Sequence, residues 1–374
     1  MTHSLSVTVL LGSSGTDGSQ IVEGVLKNSN PHRLTTIVPK KGRRRKKTGG
    51  KAASILPTTE RLVRLGEGCA CCTVRGDLLT KIRRIAEADS ADHVLIQTGP
   101  AADLSTVAKT FSVADQSGAV LSDVAQLQSV AMAIDARDFM LNLKGKLARP
   151  LVVHIELANV IVLEQTADLA SDDVEEIRNC ILALNPDVQI VLADSTELSI
   201  ASLQSTDLFD LNAPKHRAMR NVLEPTPEGP SAIVRLSYQA RRPFHPLRLH
   251  RVLHEEREGL LRVTGTFWVA TQPDLVGSMD WAGGSRETSC SGMWWVSVPE
   301  SERPNSLDFG QYIQEIWHPE FGDRLQDLWI VGVGIDREAF RRRLDQCLLS
   351  AAELADPTQW TQMKDPFQWP KMRA

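Results

Sequence analysis

The first half of the chain alternates short apolar runs with longer amphipathic segments, and this pattern restricts the fold more than any other feature. The apolar runs are four to eight residues long, as buried strands are, and the segments between them repeat apolar residues at helical spacing. Such alternation predicts an α/β domain with a doubly wound, mostly parallel sheet. The predicted strands are 6–11, 34–38, 93–97, 129–134, 159–163 and 188–192, and the predicted helices are 77–88, 136–144 and 172–184.

The pattern changes after residue 223, which predicts a second domain. A chain of 374 residues is longer than one ordinary core supports. Residues 224–231 are polar and rich in proline, so we predict a linker between a domain at 1–223 and a smaller α+β domain at 232–374. The tail after residue 356 either packs back or frays. The predicted strands here are 232–238, 260–270, 292–298 and 326–332, with helices at 246–256 and 337–355.

Composition indicates a soluble, cytoplasmic protein. No apolar run approaches the ~20 residues that span a bilayer, and the amino terminus is typical of a first core strand, not of a signal peptide. Cys180, Cys290 and Cys347 lie far apart, as expected of small buried side chains in a reducing compartment.

A glycine-rich turn follows the first strand and opens a helix, the setting of a phosphate-binding loop. Its candidate residues are Gly12, Gly15, Gly18 and Ser19. The pattern G-x-x-x-x-G-K-[ST] requires a lysine where Gly18 stands, and Asp17 occupies the preceding glycine position. A carboxylate repels phosphate, although the amides of a helix amino terminus can still hold a weaker anion. We therefore expect a degenerate nucleotide site without catalysis.

Three cysteines, Cys69, Cys71 and Cys72, lie within four residues between glycines. Thiolates this close can converge on one Zn²⁺ ion, which prefers four tetrahedral ligands. The fourth ligand could be water, Glu67, a distant histidine or a side chain of a partner, and an open position suits a carrier or a sensor. The alternative is that these thiols only line the core.

The segment 40–51 has eight basic residues and no acidic one, whereas the chain as a whole has a net charge of −4. A polyanion would therefore be attracted to one place. The segment contains no aromatic residue, which favours contacts to the backbone of structured RNA, above all the ribosome, over base stacking. It has no apolar face for a membrane and no cue for specific DNA, and a merely solvated loop is the alternative. The candidate residues are Lys40, Lys41, Arg43, Arg44, Arg45, Lys46, Lys47 and Lys51.

Histidines and tryptophans in the second half invite a functional interpretation. His250 and His254 are four residues apart and could share a helix face and chelate a metal, although such pairs are more often ordinary surface residues. Trp268, Trp294 and Trp295 are predicted to belong to the core of the second domain rather than to a stacking platform.

Several motifs occur in the order found in one known family. Residues 68–78 read G-C-A-C-C-T-V-R-G-D-L, and A-I-D-A, R-R-P-F-H-P and G-T-F-W-V-A follow at 133–136, 241–246 and 265–270. With G-D-R at 322–324 and L-D-Q-C-L-L at 344–349, the chain resembles the CobW family of P-loop GTPases and zinc metallochaperones over almost its whole length. The resemblance implies a P-loop-like domain, a ferredoxin-like carboxy-terminal domain and a link to zinc.

The departures from the family concentrate in the nucleotide elements. The loop lysine is absent, and the family's Glu-Ser/Thr-Thr-Gly is Ile-Gln-Thr-Gly at 96–99, which keeps Thr98 and Gly99 without the carboxylate. The guanine-reading motif is unrecognisable at 164–168, and the basic segment 40–51 replaces the acidic switch. Four changes together indicate release from GTP turnover, so neither GTP nor Mg²⁺ is expected as a cofactor.

Two functions remain open at this point. The first is a non-catalytic, zinc-linked adaptor that binds the ribosome through the basic segment and recruits a hibernation factor during zinc starvation, as some members of the family do. The second is a zinc metallochaperone GTPase with an unconventional phosphate-binding loop.

Overall fold

The computed structural model describes residues 5–13, 15–29, 34–39, 62–65, 73–99, 120–145, 148–195, 197–204, 209–213, 233–255, 259–304, 306–367 and 369, and single positions between 102 and 111. By its contacts the chain divides into two compact units, Met1–Asn142 with Val153–Lys215, and Leu143–Val152 with His216–Ala374. The predicted linker at 224–231 lies outside the described residues.

The first unit is built on a parallel sheet of seven strands in the order β3-β2-β4-β1-β5-β6-β7. The predicted strands are confirmed, and β3 is an additional one. The strands are β1 (Leu5–Gly12), β2 (Leu34–Pro39), β3 (Leu62–Leu65), β4 (His93–Thr98), β5 (Ala125–Asp135), β6 (Val160–Glu164) and β7 (Gln189–Leu192).

The helices of this region are α1 (Ser19–Asn28), α2 (Thr73–Glu87), α3 (Ala136–Lys144), α4 (Ala148–Leu157) and α5 (Ser171–Leu184). Every residue of β4 and β6 is buried, as expected for central strands covered on both faces. Helix α1 buries Ile21, Val22 and Val25 against β1, β4 and β5. No helix among the described residues is long and apolar enough to cross a membrane.

The second unit contains an antiparallel sheet of five strands in the order β11-β10-β9-β12-β8. Strand β12 lies between β8 and β9, which forms the split β-α-β arrangement of ferredoxin-like folds. Helix α6 begins with Pro246 in its first turn, where proline is tolerated. The elements are β8 (Ile233–Ala240), α6 (Pro246–His254), β9 (Leu260–Phe267), β10 (Leu275–Ala282), β11 (Ser285–Met293), α7 (Leu307–Ile316), β12 (Gln326–Val333), α8 (Arg337–Cys347) and α9 (Ala351–Leu354).

Two predictions for this unit are wrong. The strand expected at 292–298 is instead the end of β11 followed by a 3-10 turn at Trp295–Ser297. The helix expected at 337–355 ends at Cys347, because the amide of Leu349 donates to the carbonyl oxygen of Pro243. A new helix, α9, then starts at a capping box formed by Ser350 and Glu353.

Tryptophan packing confirms the core prediction for Trp268 and Trp294, whereas Trp295 is half-buried and packs on Phe309 outside their cluster. Trp268 and Trp294 are buried in one cluster with Phe321, and the tail packs back through Phe367. The amide of the buried Gln326 links this cluster to the strands. Its Nε2 donates to the carbonyl oxygens of Arg242 and Trp268, both at 2.9 Å, and its Oε1 accepts from the Trp268 amide at 3.0 Å.

We expect Gln326→Leu to destabilise the second unit by about 2–4 kcal/mol, because the Trp268 amide and the Arg242 carbonyl lose the bonds from Gln326 and the Trp268 carbonyl keeps only its bond from the Phe244 amide. Urea unfolding followed by tryptophan fluorescence measures this unit, since all eight tryptophans lie beyond residue 267. The control Gln346→Leu changes an exposed glutamine of α8 and is expected to stay within about 0.5 kcal/mol of the wild type. An equal effect of both variants would contradict this account.

A buried histidine makes the stability of the first unit depend on pH. His93 accepts at Nδ1 from Gln204 and donates from Nε2 to Thr8, so it is neutral. Burial lowers the pKa of His93 to about 4 from 6.5. Between these values the unfolded chain binds the proton and the folded chain does not, so stability falls as the pH falls.

The expected loss attributable to His93 is roughly 3 kcal/mol between pH 7 and pH 4. It is measured by urea unfolding followed by far-ultraviolet circular dichroism, since tryptophan fluorescence reports the second unit. The variant His93→Gln is expected to show a flatter pH profile, whatever its stability at pH 7. A profile identical to that of the wild type would show that His93 does not titrate in this way.

Candidate functional site

The glycine-rich loop between β1 and α1 is held tightly by its own backbone. The amide of Ser13 donates to the Ala133 carbonyl oxygen at 3.0 Å, which ties the loop to β5. Gly12 has no room for a side chain, because a Cβ atom there would lie 2.6 Å from the Thr16 carbonyl oxygen. Gly15 and Gly18 have φ angles of 98° and 73°, which favour glycine. The predicted loop is therefore present, with residue 14 outside the described residues.

The amides that open α1 already have partners within the loop. The amide of Gly18 donates to the Thr16 hydroxyl at 3.1 Å, and the amide of Ser19 donates to Oδ1 of Asp17 at 3.0 Å. In a functional phosphate-binding loop such amides point at the ligand. Here Asp17 supplies the anionic acceptor itself, so a phosphate would have to displace it.

Gln97 closes the loop from the neighbouring strand β4. Its Nε2 donates to the carbonyl oxygen of Asp17 at 2.8 Å and to the hydroxyl oxygen of Ser19 at 3.1 Å. In nucleotide-binding loops the hydroxyl at the position of Ser19 binds Mg²⁺. Here that hydroxyl accepts a hydrogen bond from a neutral amide instead. These residues do not fit the donor set that Mg²⁺ with a nucleotide requires.

Carboxylates surround the same loop. Glu164 at the end of β6 is 4% exposed, and its Oε2 has no hydrogen-bond partner among the described residues. Burial raises the pKa of Glu164; a hydrogen bond from Thr16 opposes this shift, and the charges of Asp135, Asp17 and Asp194 add to it. The environment of the loop is therefore unfavourable for a further negative charge.

Asp135 at the end of β5 is neutralised by a neighbour. Nε and Nη2 of Arg137 donate to its two carboxylate oxygens at 3.1 and 2.7 Å, and these bonds lower the pKa of Asp135. Asp138 lies close to the loop as well, because a Cβ atom on Gly15 would be 2.8 Å from its Oδ2. The guanidinium of Arg137 is thus engaged with a carboxylate and is not a substitute for the missing lysine.

The remaining predicted site residues have structural contacts. Thr98 donates from its hydroxyl to the Leu10 carbonyl oxygen at 3.3 Å, and Gly99 accepts at its carbonyl oxygen from the Ala102 amide. Where a guanine-reading motif would lie, the amides of Thr166 and Ala167 donate to one carboxylate oxygen of Asp194 at 2.6 and 3.1 Å. These amides are therefore also taken by the protein itself.

The structure brings Gly12, Gly15, Gly18, Ser19 and Thr98 to one edge of the sheet, as predicted. The sequence did not single out Glu164 as a member of this site. The signal was available, since a charged residue that directly ends an entirely apolar strand must lie at that edge.

The predicted zinc and RNA residues lie outside the described residues. These are Cys69, Cys71 and Cys72, and Lys40, Lys41, Arg43, Arg44, Arg45, Lys46, Lys47 and Lys51. Within the described ranges no group of three or more histidine, cysteine or acidic side chains could hold a metal ion. Burial raises the pKa values of Cys180 and Cys347 to about 11, which suits the structural role predicted for both.

Comparison with known families matches both units. Residues 6–192, half of the chain, match the model of the CobW/HypB/UreG nucleotide-binding domain. The chain belongs to the CobW/HypB/UreG family. Residues 233–348 match the carboxy-terminal domain of the cobalamin synthesis protein cobW, so both domains implied by the resemblance are confirmed.

Relatives of this CobW-type chain have names that refer to zinc. A zinc-regulated GTPase metalloprotein activator of Dictyostelium discoideum is 29% identical over 321 residues, which are 79% of this chain and 67% of the relative. A zinc chaperone of Mycobacterium tuberculosis is 28% identical over 330 residues, 83% and 80% of the two chains. The crystal structure of Zn(II)-bound YjiA GTPase from E. coli aligns with 92% of this chain and 99% of its own, at 15% identity and a TM-score of 0.41.

We expect Gln97→Leu to loosen the glycine-rich loop, because the Asp17 carbonyl oxygen and the Ser19 hydroxyl lose their donor. The expected destabilisation is about 1–3 kcal/mol, with faster hydrogen exchange at the amides of residues 13–19. The control Gln189→Leu changes an exposed glutamine of β7 and is expected to leave this exchange unchanged. Unchanged exchange in Gln97→Leu would mean that the amide does not hold the loop.

Proposed function

We propose that this protein is a zinc-linked adaptor of the CobW/HypB/UreG family that does not turn over GTP and that binds the ribosome. The observation that carries the non-catalytic part is the double hydrogen bond from Gln97 to Asp17 and Ser19, at 2.8 and 3.1 Å. The Ser19 hydroxyl, which would bind the nucleotide's metal in a functional loop, accepts one of these bonds. Catalysis of phosphoryl transfer depends almost entirely on positioned cations and amides, and here both are replaced or engaged.

Electrostatics supports the same conclusion. Glu164, Asp135 and Asp17 interact strongly enough to contribute to the raised pKa of Glu164. Arg137 neutralises Asp135, but Asp17 and Glu164 remain beside the loop, and negative charge there opposes the binding of a phosphate. A nucleotide would therefore need contacts elsewhere to bind at all.

The zinc link rests on the three thiols and on the relatives. Cys69, Cys71 and Cys72 form a donor set that suits Zn²⁺, and they follow closely after β3, whose carboxyl end lies at the same sheet edge as the glycine-rich loop. A fourth position left open by the protein would let the ion exchange with a partner. Zinc in this proposal regulates or is carried, and it supplies no catalytic step.

The ribosome part rests on the basic segment 40–51. Each phosphate contacted by one of its eight basic side chains adds affinity that falls with salt concentration. In the sequence the segment follows directly after β2, which ends at Pro39. In this proposal the zinc-dependent state of the cysteines then decides whether a second protein, a hibernation factor, is recruited to the docked adaptor.

The first test is a titration of metal-defined protein with GTP and Mg²⁺ that follows both binding and phosphate release, combined with co-sedimentation on ribosomes. We expect no phosphate release and salt-sensitive co-sedimentation. Replacing the eight basic residues of 40–51 by glutamine should abolish co-sedimentation. The matched control replaces the exposed Arg337 and Arg342 of α8 and should retain it.

The zinc part is tested separately with the variant in which Cys69, Cys71 and Cys72 are all serine. We expect it to bind less Zn²⁺ than the wild type, measured by competition with a chromogenic chelator. Equal zinc content would remove these cysteines from the proposal. Ribosome binding that survives neutralisation of 40–51 would overturn the docking part.

A zinc metallochaperone GTPase is the second candidate, favoured by one specific observation. The turn that opens α1 retains its two glycines with positive φ, as an unconventional phosphate-binding loop would require, and relatives are named as GTPases. Mg²⁺-dependent GTP hydrolysis that is lost in Cys72→Ser would establish this candidate and refute the adaptor. A chain that hydrolyses nothing at saturating GTP excludes it.

A further inference from the structure

The second unit contains a cavity of about 270 Å³ that the proposed function does not use. It is lined by helix α6, the β10–β11 hairpin and the tail residues Pro366, Phe367 and Trp369. Its walls combine aromatic rings with nitrogen donors: Trp281, Phe367, Trp369, His250, His254 and Arg286. A pocket with apolar rings and a few polar groups is the usual form of a small-ligand site.

We propose that this cavity binds one nucleotide 5′-monophosphate unit, with the base against the aromatic rings and the phosphate at Arg286. The unit is either a free nucleotide or an unpaired residue of RNA. This site is separate from the glycine-rich loop of the first unit and does not depend on ribosome docking by 40–51.

The aromatic rings of the cavity pack against one another, and Trp369 is the partly exposed one. Trp281 is 4% exposed and Phe367 is 6% exposed. The ring centroid of Trp369 is 5.4 Å from that of Phe367 and 5.6 Å from that of Phe267. The Trp369 ring also lies over Gly277, where a Cβ atom would be 2.5 Å from the ring. Preformed aromatic faces bind bases with about 1–3 kcal/mol per stacked base.

Arg286 is held in place with most of its donors unused. It is the cross-strand partner of Trp281, and its guanidinium carbon is 5.2 Å from the centroid of that ring. One nitrogen, Nη1, donates to the Leu253 carbonyl oxygen in the last turn of α6 at 3.1 Å. No carboxylate among the described residues pairs with Arg286. An oriented guanidinium without a counter-ion is a good phosphate ligand.

Further polar groups at the cavity also lack partners. Within the described part of the chain, neither ring nitrogen of His250 makes a hydrogen bond, and the hydroxyl of Thr288 makes none either. Nδ1 of His254 donates to the His250 carbonyl oxygen at 2.8 Å, which leaves its Nε2 available. The two histidine rings stack with centroids 3.9 Å apart. These groups can bond to a base edge, a ribose or a phosphate.

The same side chains argue against a metal ion at this place. His250 and His254 supply two nitrogens, and no third ligand is present among the described residues. Arg286 places a permanent positive charge in the same cavity, which repels a cation. The volume is just below the ~300–1,000 Å³ range of drug-sized ligands, so one ring system with its substituent fits better than a dinucleotide.

The test uses the full chain with the basic segment 40–51 neutralised, so that the result does not depend on the ribosome proposal. The four ribonucleoside 5′-monophosphates are titrated by calorimetry, beside ribose 5-phosphate, inorganic phosphate and a short single-stranded oligoribonucleotide. We expect the nucleotides to bind more tightly than ribose 5-phosphate or phosphate. Arg286→Gln should weaken nucleotide binding about 10- to 100-fold, and Thr288→Val should weaken it less.

The matched control is Arg251→Gln, which removes an exposed arginine of α6 that does not line the cavity and should leave affinity unchanged. Because Arg286 also contacts α6, urea unfolding by tryptophan fluorescence must show that Arg286→Gln is folded, and Arg286→Lys should recover part of the affinity. Tighter binding of the oligoribonucleotide identifies RNA as the source, and equal binding identifies a free nucleotide. No nucleotide binding, equal affinity in Arg286→Gln, or preferred binding of N-acetyltryptophan, which would indicate a peptide ligand, overturns the proposal.

Discussion

The parallel pairing of β1 with β4 and β5 decides which side chains meet at the glycine-rich loop. Leu11 pairs with Thr98 and Gly12 pairs with Ala133, so the three strands end at the same level. Strand β6 ends at the same level, because Glu164 pairs with Asp135 of β5. Because both faces of these strands are covered by helices, a polar residue at a strand end must find its partner at this edge. Gln97 finds one in the loop, whereas Oε2 of Glu164 has none among the residues that the structure describes.

The loop, the side-chain amide of Gln97 and the surrounding carboxylates depend on one another through hydrogen bonds and charge. A lysine and a magnesium ion would neutralise the acidic residues in a nucleotide-binding protein, whereas here Gln97 and Thr16 provide neutral hydrogen bonds and the pKa of Glu164 is raised. Restoring the lysine alone would not reverse this. Position 18 has φ at 73°, which disfavours any side chain, and a Cβ atom there would lie 3.2 Å from Leu10. The site has therefore changed as a unit and not at one residue.

Much of the fold follows from the sequence, because periodicity and burial agree in the first unit. The six predicted strands are correct because each is a short apolar run, and the central strands β4 and β6 are covered on both faces. The error at 292–298 has a physical reason: β11 is an edge strand whose residues are mostly half-exposed, so Ser285–Met293 carries no apolar signal, while the apolar Trp294 belongs to a turn. The partner of Gln97 was equally hidden, because a contact between residues 97 and 17 depends on strand register and loop geometry together.

Family membership accounts for the backbone fold of this protein, whereas the side chains at each site determine what that site can bind. The CobW/HypB/UreG nucleotide-binding domain provides a strand, a tight turn and a helix whose amides can bind an anion. Asp17 accepts from one of those amides, and Gln97 donates to the loop from the neighbouring strand. The second unit shows the opposite relation. Arg286 and Thr288 lie at a preformed aromatic cavity with donors that no described side chain uses. Unused polar groups beside buried rings, more than the inherited loop, indicate where this chain has capacity to bind a small anion.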